Sequence, residues 1–372
     1  MSLSYWEYKS WLSEIDHTIV GSGIVGLNCA LRLREKFPNS RILILEKGML
    51  PQGASTKNAG FACFGSLSEI LDDLTSHSEK EVVALVKQRI EGLQLLRRTV
   101  GDKALDYQEL GGYELFTEED EALYTHCLDQ MERINALLYP IFKQPVYSTK
   151  ENTFGFQHIQ EWYIYNAFEG QIDTGAMMEN LLQLAIEKGI KIMNGVAVQA
   201  FEEKENAVTI QTDQFTIQSK QLLIATNGFA SQLGLQNVKP ARAQVLITKP
   251  IPELKIKGTF HLDKGYYYFR NIDDRILFGG GRNLDFKAEE TTDLGQTELV
   301  QTELERLLRE VILPNTPFEI DRRWSGIMGV GTQKKPIVKS ISDRIYTGVR
   351  LGGMGVAIGS QVGRDLADLV GD

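Results

Sequence analysis

Three glycines and one acid in this chain are spaced to hold a pyrophosphate and a ribose. Gly21, Gly23 and Gly26 lie in the run Gly21-Ser22-Gly23-Ile24-Val25-Gly26, and Glu46 follows about twenty residues later. Gly21 lets the chain turn sharply off a strand, Gly23 lets a pyrophosphate touch backbone, and Gly26 lets the following helix pack close. The N–H groups of Ser22, Ile24 and Val25 then sit at the positive end of that helix, which favours an anion. Glu46, with Lys47 beside it, stands where a carboxylate can accept both ribose hydroxyls. A tight turn alone would also use such glycines, so the flanking elements have to decide.

They agree with the dinucleotide reading. The apolar run from His17 to Val20 predicts a strand, Leu27, Ala30, Leu31 and Leu33 recur at helical spacing, and Arg41 to Leu45 predicts a second strand ending at Glu46. The segment Gly53-Ala54-Ser55-Thr56-Lys57-Asn58-Ala59-Gly60-Phe61 comes next. Its small side chains allow close approach of backbone to a ligand, although an ordinary loop would read the same way. Downstream, Gln221 to Gly228 predicts a buried strand ending in Ala225 and Thr226. Ile345 to Val349 predicts a strand that runs through Gly352, Gly353, Met354 and Gly355 into a helix over 359–369.

Between these parts the pattern changes. Two amphipathic helices are expected over 78–100 and 119–142, separated by a strand pair around Gly111-Gly112. Asp173 caps a helix from Thr174 to Lys188, and a further helix is expected over 297–311. Residues 261–281 predict a hairpin containing Tyr266-Tyr267-Tyr268-Phe269-Arg270. Side chains alternate along a strand, so Tyr266 and Tyr268 share a face and Tyr267 points the other way. Arg270 is open between a surface residue, an ion-pair partner and a substrate anchor. His126 and Cys127 read as ordinary helix residues.

Composition narrows the class. The chain has 372 residues, 42% hydrophobic and 24% charged, which suits a globular protein with two domains or one elaborate one. A net charge of −9 argues against nucleic-acid binding and against a basic membrane-facing patch. Three widely spaced cysteines, Cys29, Cys63 and Cys127, fit neither a disulfide framework nor a metal pattern, which implies a reducing compartment. The first fourteen residues carry Trp6, Tyr8 and Trp11 without a basic or continuous apolar stretch. They predict a short helix packed on the body rather than a signal peptide, so the expected location is cytoplasmic.

The run Gly53 to Gly60 resembles the flavin-contacting loop of the D-amino-acid oxidase-like FAD-dependent oxidoreductases, the group of glycine oxidase, sarcosine oxidase and γ-glutamylputrescine oxidase. The resemblance extends from Asp16 to the C-terminus. It implies an α/β fold: a Rossmann-like, glutathione-reductase-type FAD domain from 1–76, 161–230 and 325–372, and an antiparallel-sheet α+β substrate domain from 77–160 and 231–324. By the same resemblance, Ser55, Thr56, Asn58, Ala59 and Gly60 lie near FAD, and the backbone of Val198 meets the adenine. Ala225, Thr226 and the turn Gly352-Gly353-Met354-Gly355 close the site. The hairpin with Tyr266 and Tyr268 lines the substrate cavity. The passage Trp324-Ser325-Gly326 to Lys335-Pro336-Ile337-Val338 matches the family's return to the flavin.

The implied activity is oxidation of an amine or amino acid. A hydride equivalent passes from the carbon beside nitrogen to flavin N5, the resulting imine is hydrolysed, and oxygen or another acceptor reoxidises the flavin. The cofactor carries that chemistry, and the protein supplies orientation and electrostatics. Two departures from the family matter. No cysteine follows Cys127, and Met328, Gly329, Val330 and Gly331 occupy the passage where some members attach flavin covalently, so FAD is expected to be noncovalent. Met328 also stands where glycine oxidase-like members carry a carboxylate-binding arginine, while Arg350 matches an active-site arginine of those members. Arg350, Tyr266 and Tyr268 are therefore the candidate catalytic residues. Cys63 reads as a buried structural thiol. A flavin-binding module without turnover and an NAD-dependent dehydrogenase are the alternatives, and the latter leaves the flavin loop and the last glycine turn unexplained. The oligomeric state is open, with a homo-oligomer among the options.

Overall fold

The computed structural model describes residues 3–371. Its first sheet has eight strands. Five of them are parallel, in the order Ile345–Val349, Thr216–Ile224, Ile15–Val20, Ile42–Glu46, Lys191–Asn194. Ile337–Ser340 pairs antiparallel on one edge, and Val198–Glu203 and Val208–Thr212 form a meander beside Thr216–Ile224. Ile42–Glu46 is buried at every position, as expected of a parallel strand covered on both faces. Helices Ile24–Lys36, Gly355–Asp368 and Glu79–Val100 pack against one another at glycines. A Cβ at Gly363 would lie 2.6 Å from Val25 O, and one at Gly92 would lie 2.3 Å from Ala357 O.

The second sheet also has eight strands, in the order Ile320–Val330, Lys239–Thr248, Arg275–Gly280, Tyr267–Ile272, Thr259–Leu262, Gly112–Glu114, Trp162–Asn166, Tyr147–Glu151. Every pair is antiparallel except Thr259–Leu262 with Gly112–Glu114. One of its faces builds an aromatic core on Phe260, Phe269 and Phe278, with Phe260 and Phe269 stacked at 4.5 Å. Tyr267 joins this core, while Tyr266 and Tyr268 reach the cavity described below.

Several elements differ from expectation. Gly111-Gly112 does not reverse a strand pair: a single strand, Gly112–Glu114, is present. The two glycines serve close approach instead, since a Cβ at Gly111 would strike the Tyr165 ring and one at Gly112 the Glu169 carboxylate. The last helix begins at Gly355, not at 359. By sheet membership two boundaries also move. Trp162–Asn166 and the whole of Ile320–Val330 belong to the second sheet, because their hydrogen bonds run to its strands. At the N-terminus, Tyr5–Glu7 is a helical turn continued by Tyr8–Leu12, of which only Leu12 is buried. The helix expected there also takes in Met1 and Ser2, which lie outside the described residues. Among the described residues, no helix is long and apolar enough to cross a membrane.

Candidate active site

The glycine turn is shaped by contacts only glycine permits. Gly21 has φ +102°, and a Cβ there would come within 2.9 Å of Ala225 O. A Cβ at Gly26 would lie 1.9 Å from Gly21 O, which sets how closely the helix Ile24–Lys36 approaches its strand. Gly23 caps that helix with no side chain, so its first N–H groups are left to other acceptors. Ser55 Oγ takes one of them, accepting from Ile24 N at 2.9 Å and tying the downstream loop to the turn. Glu46 is pre-oriented: Oε2 accepts from Ser22 N and Ser22 Oγ at 3.1 and 2.9 Å, and Oε1 accepts from Gly48 N at 3.0 Å.

These groups open onto a cavity of about 500 Å³ that continues from the first sheet to the second. At its dinucleotide end it is lined by Gly21, Gly23, Ile24, Val25, Glu46 and Lys47. Val198, Ala225 and Thr226 form the strand-end wall there. Ser55, Asn58, Ala59 and Gly60 line it from the loop, and Gly352, Gly353, Met354 and Gly355 line it from the turn before the last helix. Tyr266 and Tyr268 reach it from the second sheet, and Arg350 from the segment between Ile345–Val349 and the glycine turn. Three residues singled out from sequence stand behind the wall. Ser22 is fully buried on Glu46, Gly26 is the helix contact, and Thr56 Oγ1 donates to Pro51 O and Gly53 O.

The loop is stiff because its polar groups satisfy one another. Asn58 donates to Ala54 O and Ser55 O and accepts from Gly60 N and Thr174 Oγ1, while Trp324 Nε1 donates to Lys57 O at 2.9 Å. Two helix N-termini, of Ile24–Lys36 and Gly355–Asp368, face the cavity without a cap from their own N-cap side chains, so the first-turn N–H groups other than that of Ile24 are available to an anionic or carbonyl oxygen. Gly352 and Gly353 have open space where a Cβ would be. A cradle of glycines, free N–H groups and a fixed carboxylate fits a dinucleotide such as FAD.

Arg350 lines the cavity, yet its guanidinium turns away. Nε and Nη2 donate to Lys335 O at 3.1 and 2.8 Å, and Nη1 donates to Asn237 O at 3.2 Å. Its backbone is left-handed, with φ +65°, and its N–H is held by Asn227 Oδ1. Arg270 does not line the cavity. It lies buried behind Gly60, and burial lowers its pKa to about 10. Cys63 does line the cavity, 3.9 Å from the Met354 sulfur, and burial pushes its thiol well up. Burial likewise raises the Tyr268 phenol to about 12, so it is a proton donor at neutral pH. Lys47 sits 3.3 Å from the centre of the Phe229 ring, and burial lowers its pKa.

Other lining residues carry no motif. Asn227, Phe229, His261, Lys264, Arg282 and Met328 were not assigned to this wall by any spacing rule, and only Met328 was singled out, through the family comparison. Asn227 has one hint, since it directly follows Ala225 and Thr226 beyond the strand Thr216–Ile224.

Comparison with known proteins adds the family. The model of the family described as FAD dependent oxidoreductase (DAO) matches residues 16–369. The chain is 21% identical to a Haemophilus influenzae protein named "Probable oxidoreductase OrdL", covering 96% of this chain and 84% of that one. Among solved structures, the L-proline dehydrogenase of P. horikoshii superposes with a TM-score of 0.73 at 19% identity, covering 96% of this chain and 93% of that one. Glycine oxidase of Geobacillus kaustophilus gives 0.73 at 20% identity, covering 95% and 94%. At such identities the structures speak for the fold alone. The family match spans nearly the whole chain, cradle and second sheet together, and the protein belongs to the DAO family of FAD-dependent oxidoreductases.

Proposed function

We propose that the protein oxidises the C–N bond of an amine or amino acid, with FAD bound noncovalently. The observation that carries this reading is the single cavity running from the dinucleotide cradle to the tyrosine wall of the second sheet. Bound FAD would accept the hydride equivalent from the carbon bearing nitrogen. The chain's own residues then have three tasks. The N-termini at Gly23 and Met354 would offer N–H groups to anionic or carbonyl oxygens of the cofactor, and the dipole of the last helix would favour negative charge there. Glu46 receives ribose hydroxyls on oxygens already fixed by Ser22 and Gly48. Tyr266 and Tyr268 form the substrate side, where Tyr268 keeps its proton and can donate it in a hydrogen bond.

Noncovalent binding is supported by the state of the thiol nearest the cradle: Cys63 is held protonated by burial, and a protonated thiol is a poor nucleophile. Arg350 enters this reading as a positioning residue that braces the passage through Lys335. With its donors committed to carbonyls it offers little to a substrate, which keeps a flavin-binding protein without turnover as the second reading. An anaerobic panel of amines and amino acids, followed by flavin absorbance, separates the two. Bleaching by one compound class supports oxidation, and a yellow protein that no compound bleaches refutes it. Acid precipitation tests the attachment, since flavin left on the pellet would overturn noncovalent binding.

A further inference from the structure

His261 is the one histidine in the cavity wall, and it is built into a buried acid–base pair. It is 4% exposed, and its Nε2 lies 2.5 Å from Oε1 of Glu169, which is 1% exposed. Glu169 receives further donors, Thr259 Oγ1 at 2.9 Å on the same oxygen and Asn166 Nδ2 at 3.5 Å on the other. An acceptor this close to the imidazole in a dry setting favours the charged ring. The other ring nitrogen, Nδ1, makes no hydrogen bond among the described residues and is not sealed into the core.

The surroundings favour the charged ring. Glu114 lies opposite His261 on the neighbouring strand, accepting from Ser66 Oγ and Ser68 N, and Glu69 approaches from the helix Leu67–Ser76. Tyr268 lies opposite on the other side, and Phe61 meets both rings edge-on, at 5.2 and 5.7 Å. Cys63 also faces this wall, with its thiol protonated. Burial alone would lower the His261 pKa. Glu169, helped by Glu69 and Glu114, outweighs it and raises the value to about 9.

Most of the cavity's other cations are engaged or lie elsewhere. The Arg350 guanidinium is spent on carbonyls, and Lys334 pairs with Asp73. Lys264 pairs with Asp72 at 3.6 Å, and Arg89 donates to Phe64 O with Asp73 at 3.9 Å. Arg282 makes no ion pair among the described residues and stands over the Tyr266 and Phe286 rings, so it is a second cation beside the tyrosine wall. Lys47 and Lys57 belong to the dinucleotide end, and Met328 brings no charge.

We propose that His261, held as an imidazolium by Glu169, donates Nδ1–H to a carboxylate of the substrate beside the Tyr268 hydroxyl, so that the substrate is a carboxylate-bearing amine. This rests on the amine-oxidation reading. It would explain how a chain with Met328 in the expected arginine position still takes an amino acid.

The test uses the FAD-loaded protein and a matched pair of probes, benzoate and benzamide, followed by perturbation of flavin absorbance from pH 6 to 10. The wild type is expected to bind benzoate with constant affinity up to about pH 9 and to lose about tenfold per pH unit beyond. His261→Asn should weaken benzoate about 10- to 100-fold while leaving benzamide within about threefold. Glu169→Gln should move the break in the benzoate profile to lower pH. Benzoate affinity unchanged in His261→Asn, or no benzoate binding by the wild type, overturns the proposal. Should either variant fail to hold FAD, histidine-ring NMR of the wild type decides: one of the five histidines must stay charged to about pH 9, and ordinary titration of all five overturns the idea. The two readings fail separately. His261-dependent benzoate binding without bleaching by any amine sinks only the oxidation reading, and bleaching by amines without benzoate binding sinks only this one.

Discussion

Gly26→Ala is the sharpest test of how the cofactor cradle is built. The added methyl would stand 1.9 Å from Gly21 O and 3.1 Å from Gly21 C, against an ordinary contact of at least 3.4 Å, so 1.5 Å of separation is missing. The obstacle is backbone, which cannot rotate aside, and the helix Ile24–Lys36 has no free direction of retreat. Its Ile24 and Val25 already touch Gly359 and Gly363 of the last helix at distances a Cβ would fill. Overpacking a core costs about 1–3 kcal/mol, and a backbone obstacle puts this case at the upper end. At roughly 2 °C per kcal/mol for a large domain, the apoprotein should melt about 5 °C lower. The turn from Gly21 to Gly23 must move with the helix, so FAD affinity should fall by about 100-fold or more, read by quenching of flavin fluorescence on titration. Gly53→Ala is the matched control. The same substitution sits in the same region, but Gly53 has φ −72° and nothing within 4 Å of the new methyl. It should melt as the wild type does. If the two variants melt alike, the close-approach argument is wrong.

Three further predictions follow from named contacts. Three groups donate to the Glu46 carboxylate, and Glu46→Gln leaves one amide oxygen and turns an NH2 toward at least one of those donors. It should destabilise the apoprotein by about 2 kcal/mol in urea titration and weaken FAD at least tenfold. Arg350→Ala and Arg350→Gly both remove the links to Lys335 O and Asn237 O, so hydrogen exchange near Lys335 should rise in each. Because φ there is +65°, the alanine variant should be less stable than the glycine variant by about 1 kcal/mol. The His261–Glu169 pair should also make stability depend on pH. The folded protein holds the His261 proton up to about pH 9, whereas an unfolded chain releases it near its ordinary value of 6.5. That contribution is complete below pH 6.5, falls as pH rises from there to 9, and amounts to about 3 kcal/mol in all. Denaturant midpoints at pH 6 and 9.5 should lose this difference in Glu169→Gln, and an unchanged slope in that variant would refute the charge assignment.

Misread elements show where pattern reasoning gives out. Gly111-Gly112 looks like a turn, because adjacent glycines between apolar runs usually mark one. Here the glycines make room for Tyr165 and Glu169, residues more than fifty positions away, and no window of local sequence contains those neighbours. The C-terminal helix starts earlier than its apolar spacing implies. Its first turn, from Gly355, opens onto the cavity and also sends Val356, Ala357 and Ile358 into the core, so it serves both at once. Arg350 was legible as a cavity residue, but the direction of its guanidinium was not. Its acceptors are carbonyls at positions 237 and 335, and any residue can supply a carbonyl.

What the sequence determined by itself is the dinucleotide cradle, the loop that follows it and the family. The strand, the glycine turn, the helix and the acid lie within about thirty residues, and the need for glycine arises from backbone contacts inside that one unit. Only the tertiary structure decided which charges face the substrate end. His261 and Glu169 are separated by 92 positions and meet because two strands and a turn pack together. The neighbouring carboxylate then outweighs burial and keeps the His261 ring charged, and both are properties of the folded surroundings that His261 does not carry in its own stretch of chain.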